Sequence, residues 1–252
     1  MIAEQRQHEI LQIAAQQAFV EVEALAGRLN VSPMTIRRDL QKLSKMGLVQ
    51  RKHGGASLIG SIKTENSYMT KKALHQESKQ QLAQLALELI KDNDIIYLDA
   101  GTTTFELSAL LSNKQNLTVV TNDVVIALDL CKREIRTILL GGAVQSSTQT
   151  IIGPSAVAFL SSFRVTTAFL GATAIDSELD VLSPSMEKAY LKKTAMQIAQ
   201  KTYLMVDSSK YNSYALHKFA SLSDFTGIVT DRSFLKTELD RLQQNYVNII
   251  AP

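Results

Sequence analysis

Apolar residues recur at helical spacing in three short runs near the start of the chain. Residues 3–17 carry Ile10, Leu11, Ile13 and Ala14 among polar neighbours, which predicts an amphipathic first helix. Phe19 and Val20 make a brief extended piece, and a second helix is predicted over 22–29 with Leu25 and Leu29 on its inner side. Asn30 and Val31 form the turn into the third run. There Ser32 is a good N-cap, because its hydroxyl can accept from an otherwise unpaired first-turn amide. Pro33 suits the first helical position, where no amide donor is needed. Ile36, Leu40 and Leu43 then face a core, whereas Thr35, Arg38 and Lys42 fall on the opposite side, flanked by Met34, Arg37 and Gln41. Gly47 supplies a left-handed residue to end that helix. Residues 48–53 read as a strand that carries Arg51, Lys52 and His53 into a turn at Gly54 and Gly55. Three helices with a tight turn between the second and third, then a hairpin, describe a winged helix-turn-helix.

The pattern then changes. Residues 58–75 are short of apolar periodicity and rich in Ser, Lys and Thr, so they read as a linker with a helical end. Over 76–90, Leu82, Leu85, Ala86 and Leu89 mark an amphipathic helix. Apolar runs of strand length follow at 95–99, 117–121, 135–141, 166–172, 202–207, 226–231 and 247–250. Helical patterns at 105–111, 124–130, 187–201 and 234–243 separate most of them. Near-continuous apolar strands between helices indicate a parallel sheet covered on both faces. The expected fold class is α/β: a winged helix-turn-helix domain over 1–57, the linker over 58–75, and a doubly wound, mostly parallel α/β domain over 76–252.

Charge separates the two halves. Residues 1–60 hold 8 basic and 5 acidic residues, a surplus of +3, whereas the rest of the chain holds 19 of each. The surplus sits where a polyanion would be met, and double-stranded DNA is the expected partner. The single cysteine, Cys131, excludes an intramolecular disulfide framework; in an apolar helical stretch it is expected to be a buried, inert thiol. Glu4, Arg6 and Glu9 interrupt the start of the chain, unlike a signal peptide, and no apolar run approaches the ~20 residues of a spanning helix. The expected setting is cytoplasmic, without a membrane partner. His8, His53, His75 and His217 are scattered without ligand spacing, so neither a metal site nor a cofactor is expected.

On the third helix, Arg38 and Thr35 are the candidates to reach base edges in the major groove, where an arginine can bond two acceptors of guanine. Arg37, Lys42, Arg51 and Lys52 are expected to hold phosphates, which sets register without reading sequence. Ser32, Met34 and His53 complete the expected DNA-facing set, while Asp39 is expected to pair with a neighbouring base on the domain surface. The stretch VEALAGRLNVSPMTIRRDLQKLSKMGLVQRKHGGA (22–56) resembles the N-terminal domain of the DeoR family of bacterial transcriptional regulators. In that family a TIRRDL core, a following glycine and an HGGA wing recur together.

In open parallel sheets, ligands bind beyond the carboxyl ends of the strands. Asp99, Ala100, Gly101, Thr102, Thr103 and Thr104 follow one strand and lead into a helix, a glycine turn with hydroxyls and helix-start amides that suits phosphate. Other strand ends offer Thr121, Asn122 and Asp123, then Gly141 and Gly142, then Gly171, and finally Asp207, Ser208, Ser209 and Lys210. This half resembles the DeoR-family sensor domain, which is similar in fold to ribose-5-phosphate isomerase and glucosamine-6-phosphate isomerase. The family's D-x-GTTT motif falls on Asp99 and Gly101 to Thr104, its TN on Thr121 and Asn122, and its GG on Gly141 and Gly142. Its helix-start Glu falls on Glu187 and its D-x-SK on Asp207, Ser209 and Lys210. The chain departs from the family between Gly171 and Pro184, where Ala174 and Asp180 replace two glycines.

The resemblance implies a repressor of a carbohydrate-utilisation operon, controlled by a phosphorylated sugar whose phosphate Gly101 to Thr104 would hold and Lys210 would balance. One winged domain makes few contacts, so a homodimer or homotetramer reading paired half-sites is expected. The competing class is a phosphosugar isomerase with an appended DNA-binding unit, which needs a base beside a carbonyl and an acid or cation for the enediolate. Asp99, Asp207, Glu187 and Lys210 could supply those groups. Thr173, Ala174 and Ile175, however, stand where the resembling isomerases place a lysine and an acidic cluster, so no enzymatic activity is expected. A nucleotide-binding module finds no GxGxxG turn or GK[ST] loop.

Overall fold

The computed structural model describes residues 3–16, 19–45, 49–58, 67–244 and 246–252. Gly47, Leu48 and linker residues 59–66 lie outside them. The N-terminal unit runs α1 (Ala3–Gln16), β1 (Val20–Glu21), α2 (Val22–Leu29), α3 (Pro33–Lys45), β2 (Val49–Lys52) and β3 (Gly55–Leu58). Asn30 takes the left-handed conformation that ends α2, and the Ser32 hydroxyl accepts from the Thr35 amide at 3.2 Å to start α3. Ile10, Leu11, Leu25, Ile36, Leu40, Leu43 and Val49 close over one core.

Two glycines shape the wing for different reasons. Gly54 adopts φ +77°, where side chains are strained. A Cβ on Gly55 would lie 2.1 Å from the Val20 carbonyl oxygen, because β1 pairs with β3 at that point. The wing is thereby stitched to the helices by a three-stranded sheet in the order β1-β3-β2.

Asp39 departs from its expected place at the surface. It is 3 % exposed, taking Arg6 Nε at 2.5 Å and Gln7 Nε2 at 2.9 Å, so the pair with a base forms between α1 and α3 inside the domain. Positions 36, 39, 40 and 43 make up the i, i+3, i+4, i+7 stripe that α3 buries, and Asp39 falls within it.

The second unit contains α4 (Tyr68–Ala73), α5 (Gln76–Leu87), β4 (Ile95–Leu98), α6 (Thr102–Ser108), β5 (Thr118–Thr121), α7 (Val124–Lys132) and β6 (Arg136–Leu139). It continues with β7 (Ala143–Gln145), β8 (Thr150–Ile152), α8 (Pro154–Ser161), β9 (Val165–Leu170), β10 (Ala174–Ile175), β11 (Asp180–Ser183) and α9 (Met186–Ile198). The last elements are β12 (Ala199–Met205), β13 (His217–Ser221), β14 (Gly227–Val229), α10 (Lys236–Gln244) and β15 (Asn248–Ile250). The seven strands read from the apolar runs form one sheet in the order β15-β14-β12-β9-β4-β5-β6, parallel throughout. Successive residues feed opposite faces: Tyr97, Val120, Ala168 and Leu204 enter one core, and Ile96, Val119, Phe169 and Tyr203 the other.

Three elements were not visible in the pattern: the β7–β8 hairpin, the antiparallel sheet β10-β11-β13 and helix α8. Cys131 is a correction of another kind. It is exposed, because α7 buries Ile126, Ala127 and Leu130 and the next position turns outward.

Candidate functional site

From β4 the chain proceeds to β5 and β6 on one side and returns to β9 on the other, so the order reverses between the carboxyl ends of β4 and β9. A cavity of about 120 Å³ lies there. Asp99, Gly101, Thr102, Thr103, Thr104, Asn122, Gly171 and Lys210 line it, as do Lys71, His75, Lys79, Thr150, Ser183, Lys188 and Lys192, to which no motif pointed.

The threonine turn is built by its neighbours. Asn122 Oδ1 accepts from the Ala100 amide and the Tyr97 hydroxyl, both at 2.9 Å, and Asp123 Oδ2 accepts from the Gly101 amide at 3.2 Å. The Thr104 hydroxyl is engaged with the carbonyls of Asp99 (2.6 Å) and Gly101 (2.8 Å). Thr121 donates to the Leu98 carbonyl at 2.7 Å and accepts from the Asp123 amide at 3.1 Å. Burial pushes the Asp123 carboxyl up to about 6, against the amides of Ile126, Val125 and Gly101 that favour its charged form. Thr104, Thr121, Asn122 and Asp123 therefore fix the turn, leaving the first-turn amides of α6 and the Thr102 and Thr103 side chains to meet a ligand.

Four expected effector residues do not line the cavity: Thr121, Gly141, Gly142 and Glu187. Thr121 is consumed between β4 and β5, and Glu187 is exposed on the first turn of α9. Gly141 is exposed. Gly142 is needed for space, since a Cβ there would stand 2.7 Å from the Ile152 carbonyl oxygen.

Five lysines line the cavity, against Asp99 as the one carboxylate among the lining residues. Lys192 Nζ pairs with Asp99 and donates to the Gly171 carbonyl at 2.9 Å, while the Gly171 amide donates to Asp99 at 3.0 Å. Lys188, one turn earlier on α9, donates to the Thr148 hydroxyl at 3.1 Å. Lys79, on α5, donates to the carbonyls of Lys71 and Leu74, the latter at 2.5 Å. Burial, and then the Lys210 charge, bring the Lys79 ammonium down to about 8. Lys210 lies 3.9 Å from Asp207. Burial alone would raise that carboxyl, but Lys210, the bonds to Ser209 and His75 together hold it below the usual carboxylate range.

Three of these lysines had a legible signal. Lys188 and Lys192 share the buried stripe of α9 with Leu191 and Ala195, Lys79 shares that of α5 with Leu82, Ala83 and Ala86, and a charge on an apolar stripe is seldom accidental. Lys71 and His75 come from a stretch that reads as linker, where polar residues carry no such signal. Among the described residues no cluster of His, Cys, Asp or Glu is placed to hold a metal ion, and no helix is long and apolar enough to cross a membrane.

The other surface lies on α3 and the wing. Ser32, Arg37, Arg38, Lys42, Arg51, Lys52 and His53 are exposed, Thr35 is half-buried, and Met34 is 63 % exposed. Arg37 reaches Glu23 at 3.4 Å, and Arg51 Nη1 donates to the Arg37 carbonyl at 3.2 Å, fastening β2 against α3. The arrangement presents a cationic helix and hairpin together, a shape that fits a major groove and its phosphates.

The DeoR-like helix-turn-helix domain matches residues 6–61, and the DeoR C terminal sensor domain matches residues 74–232. The chain belongs to the DeoR family of transcriptional regulators. Its DeoR-family relatives include the HTH-type transcriptional regulator YgbI of Escherichia coli, 37 % identical over 92 % of this chain and 91 % of the relative. The regulator FruR of Bacillus subtilis is 31 % identical over the whole of both chains. The glycerol-3-phosphate regulon repressor of E. coli is 34 % identical over 90 % of each. These DeoR-family proteins bear the names of regulators and repressors, which decides against the isomerase alternative.

Proposed function

We propose that this DeoR-family regulator represses a carbohydrate-utilisation operon and leaves its operator when a phosphorylated sugar enters the cavity. The observation that carries the reading is the convergence of buried lysines on a threonine turn at the switch point of the sheet. Phosphate is the sugar substituent that such a site suits, and the amides and hydroxyls at Gly101, Thr102 and Thr103 are aided by Lys79 and Lys210. A relative named for the glycerol-3-phosphate regulon joins repression to a phosphorylated metabolite.

The wall that follows the linker along the chain suggests how occupancy is reported. Helix α4 follows the linker directly, and Lys79 pins the carbonyls of Lys71 on it and of Leu74 just after it, while Thr102 Oγ1 stands 3.5 Å from the Lys71 carbonyl. An anion drawing Lys79 toward the threonine turn loosens that pin and resets the path to the winged domain. A coupling of about 1–3 kcal/mol changes operator affinity roughly 5- to 150-fold, enough to switch an operon. At the operator, Thr35 and Arg38 read bases, Lys42, Arg51 and Lys52 hold phosphates, and a homodimer or homotetramer spans paired half-sites. The test is thermal unfolding of the full chain against a panel of sugar phosphates. Saturation at ~100 times the dissociation constant adds about 2.7 kcal/mol and raises the midpoint; the absence of any shift across the panel contradicts the reading.

A further inference from the structure

The loop between β12 and β13 carries Lys210 to the cavity at one end and meets the winged domain at the other. Tyr214 and Leu216, both half-buried, pack against the core of the winged domain. Tyr214 also packs on a second apolar cluster, made of Ala174 on β10, Leu182 on β11 and Ala215. The neighbours of the first two along the hairpin, Thr173 and Ser183, line the cavity, and the Thr173 amide donates to the Leu182 carbonyl at 3.1 Å. One residue therefore separates the cavity wall from the side chains on which Tyr214 rests.

The loop is held at close intervals between its two ends. Asp207 Oδ1 accepts from the Ser209 amide at 3.0 Å, the Lys210 amide donates to the Asp207 carbonyl at 3.1 Å, and the buried Ser213 hydroxyl donates to the Lys210 carbonyl at 2.6 Å. The Ser213 amide donates to the Ile175 carbonyl at 3.1 Å and Tyr211 forms a β-bridge with Ile175, which fastens the loop to β10. A segment bonded and packed at so many points has few intermediate positions and shifts as a unit. A displacement of Lys210, or of the wall at Thr173 and Ser183, is delivered to Tyr214 and Leu216 rather than absorbed on the way.

We propose that Tyr214 and Leu216 form the coupling contact between the cavity and the winged domain: a phosphorylated sugar that engages Lys210 and the wall at Thr173 and Ser183 moves these two side chains on the winged core, and operator affinity changes with them. This rests on the sugar-phosphate reading of the cavity and deepens it by naming a route. Neither side chain lines the cavity or belongs to the DNA-facing surface of α3 and the wing, so both act by position rather than by touching a ligand. The route runs through an apolar contact across the two units, beside the covalent path through the linker and α4.

The test is the coupling factor: the ratio of duplex affinities without and with a saturating sugar phosphate, measured by fluorescence anisotropy of the full chain on a duplex selected from random sequence. The probe is whichever of glucose 6-phosphate, fructose 6-phosphate, ribose 5-phosphate and glycerol 3-phosphate gives the largest thermal shift. In the wild type the factor should lie between roughly 5 and 150, and Tyr214→Ala/Leu216→Ala should bring it below about 2 while calorimetry finds the probe bound within about threefold of wild-type affinity. Leu216→Ala is the milder variant, since among the described residues Leu216 packs against the winged core and belongs to none of the cores of the α/β unit; it should lower the factor at least about threefold. A contact that serves stability alone would lower the unfolding midpoint and leave the factor unchanged. If the double variant, or Leu216→Ala where the double variant does not fold, keeps the wild-type factor, the route is refuted and the sugar-phosphate reading stands. Loss of probe binding in these variants refutes it as well, by placing the two side chains in the site itself. If no probe changes the duplex affinity of the wild type, both fall.

Discussion

Asp99 and Lys192 form an ion pair in the wall of the cavity, and its energetics can be worked from burial alone. The carboxylate is 2 % exposed and the lysine 7 %, so neither charge has water to fall back on. Removing one partner of a buried pair costs about 3–5 kcal/mol, because the survivor stays desolvated. Each survivor here keeps one backbone bond, Asp99 from the Gly171 amide at 3.0 Å and Lys192 to the Gly171 carbonyl at 2.9 Å, which favours the lower end of that range. Lys192→Met and Asp99→Asn should therefore each destabilise the α/β unit by about 3 kcal/mol, lowering its unfolding midpoint by ~10 °C. The double variant should cost no more than either single one, giving a coupling energy of about 3 kcal/mol. Urea unfolding followed by circular dichroism measures all three, which is convenient in a chain without tryptophan. Additive costs, or single costs below about 1 kcal/mol, would show that the pair is solvated.

On the DNA-facing surface, Arg38→Ala should relax base preference, whereas Lys52→Ala should weaken all duplexes alike and reduce the salt slope by about 1; operator titrations at several salt concentrations compare them, and identical behaviour refutes the division. In the wing, Gly55→Ala should destabilise the N-terminal unit more than Gly54→Ala, by ~2 against ~1 kcal/mol in thermal unfolding, since the first meets the Val20 carbonyl at 2.1 Å and the second only a strained φ. Lys79 holds charge below about pH 8 and loses it above, so affinity for a sugar phosphate should fall as pH rises from 7 to 9, and Lys79→Met should bind more weakly at pH 7 with a flatter profile. An unchanged pH profile in that variant would assign the dependence elsewhere.

The sheet was readable because its five central strands are buried on both faces, and such strands announce themselves as apolar runs between turns. The winged domain was readable for a different reason: cap, left-handed turn residue and glycines sit at fixed offsets, and each has one conformational use. The small sheet β10-β11-β13 escaped notice because its strands have two to five residues, too few to establish a period. Half of the cavity was hidden by the same logic in reverse. The threonine turn is contiguous in sequence, but Lys71, Lys79, Lys188 and Lys210 come from four separated elements or loops and converge only once the sheet orders them. Asp39 and Cys131 went astray by one helical position each, one turned into a core and the other out of it.

The proposed control joins a winged domain that holds DNA to a cavity in the α/β unit. Fluorescence anisotropy of the full chain on a duplex selected from random sequence, with a sugar phosphate titrated in, tests both parts at once when Thr102→Ala/Thr103→Ala is measured beside the wild type. The prediction is that both proteins bind the duplex equally, that the wild type releases it as the sugar phosphate saturates, and that the double variant does not respond. A double variant that releases DNA at the same sugar phosphate concentration as the wild type would contradict the account.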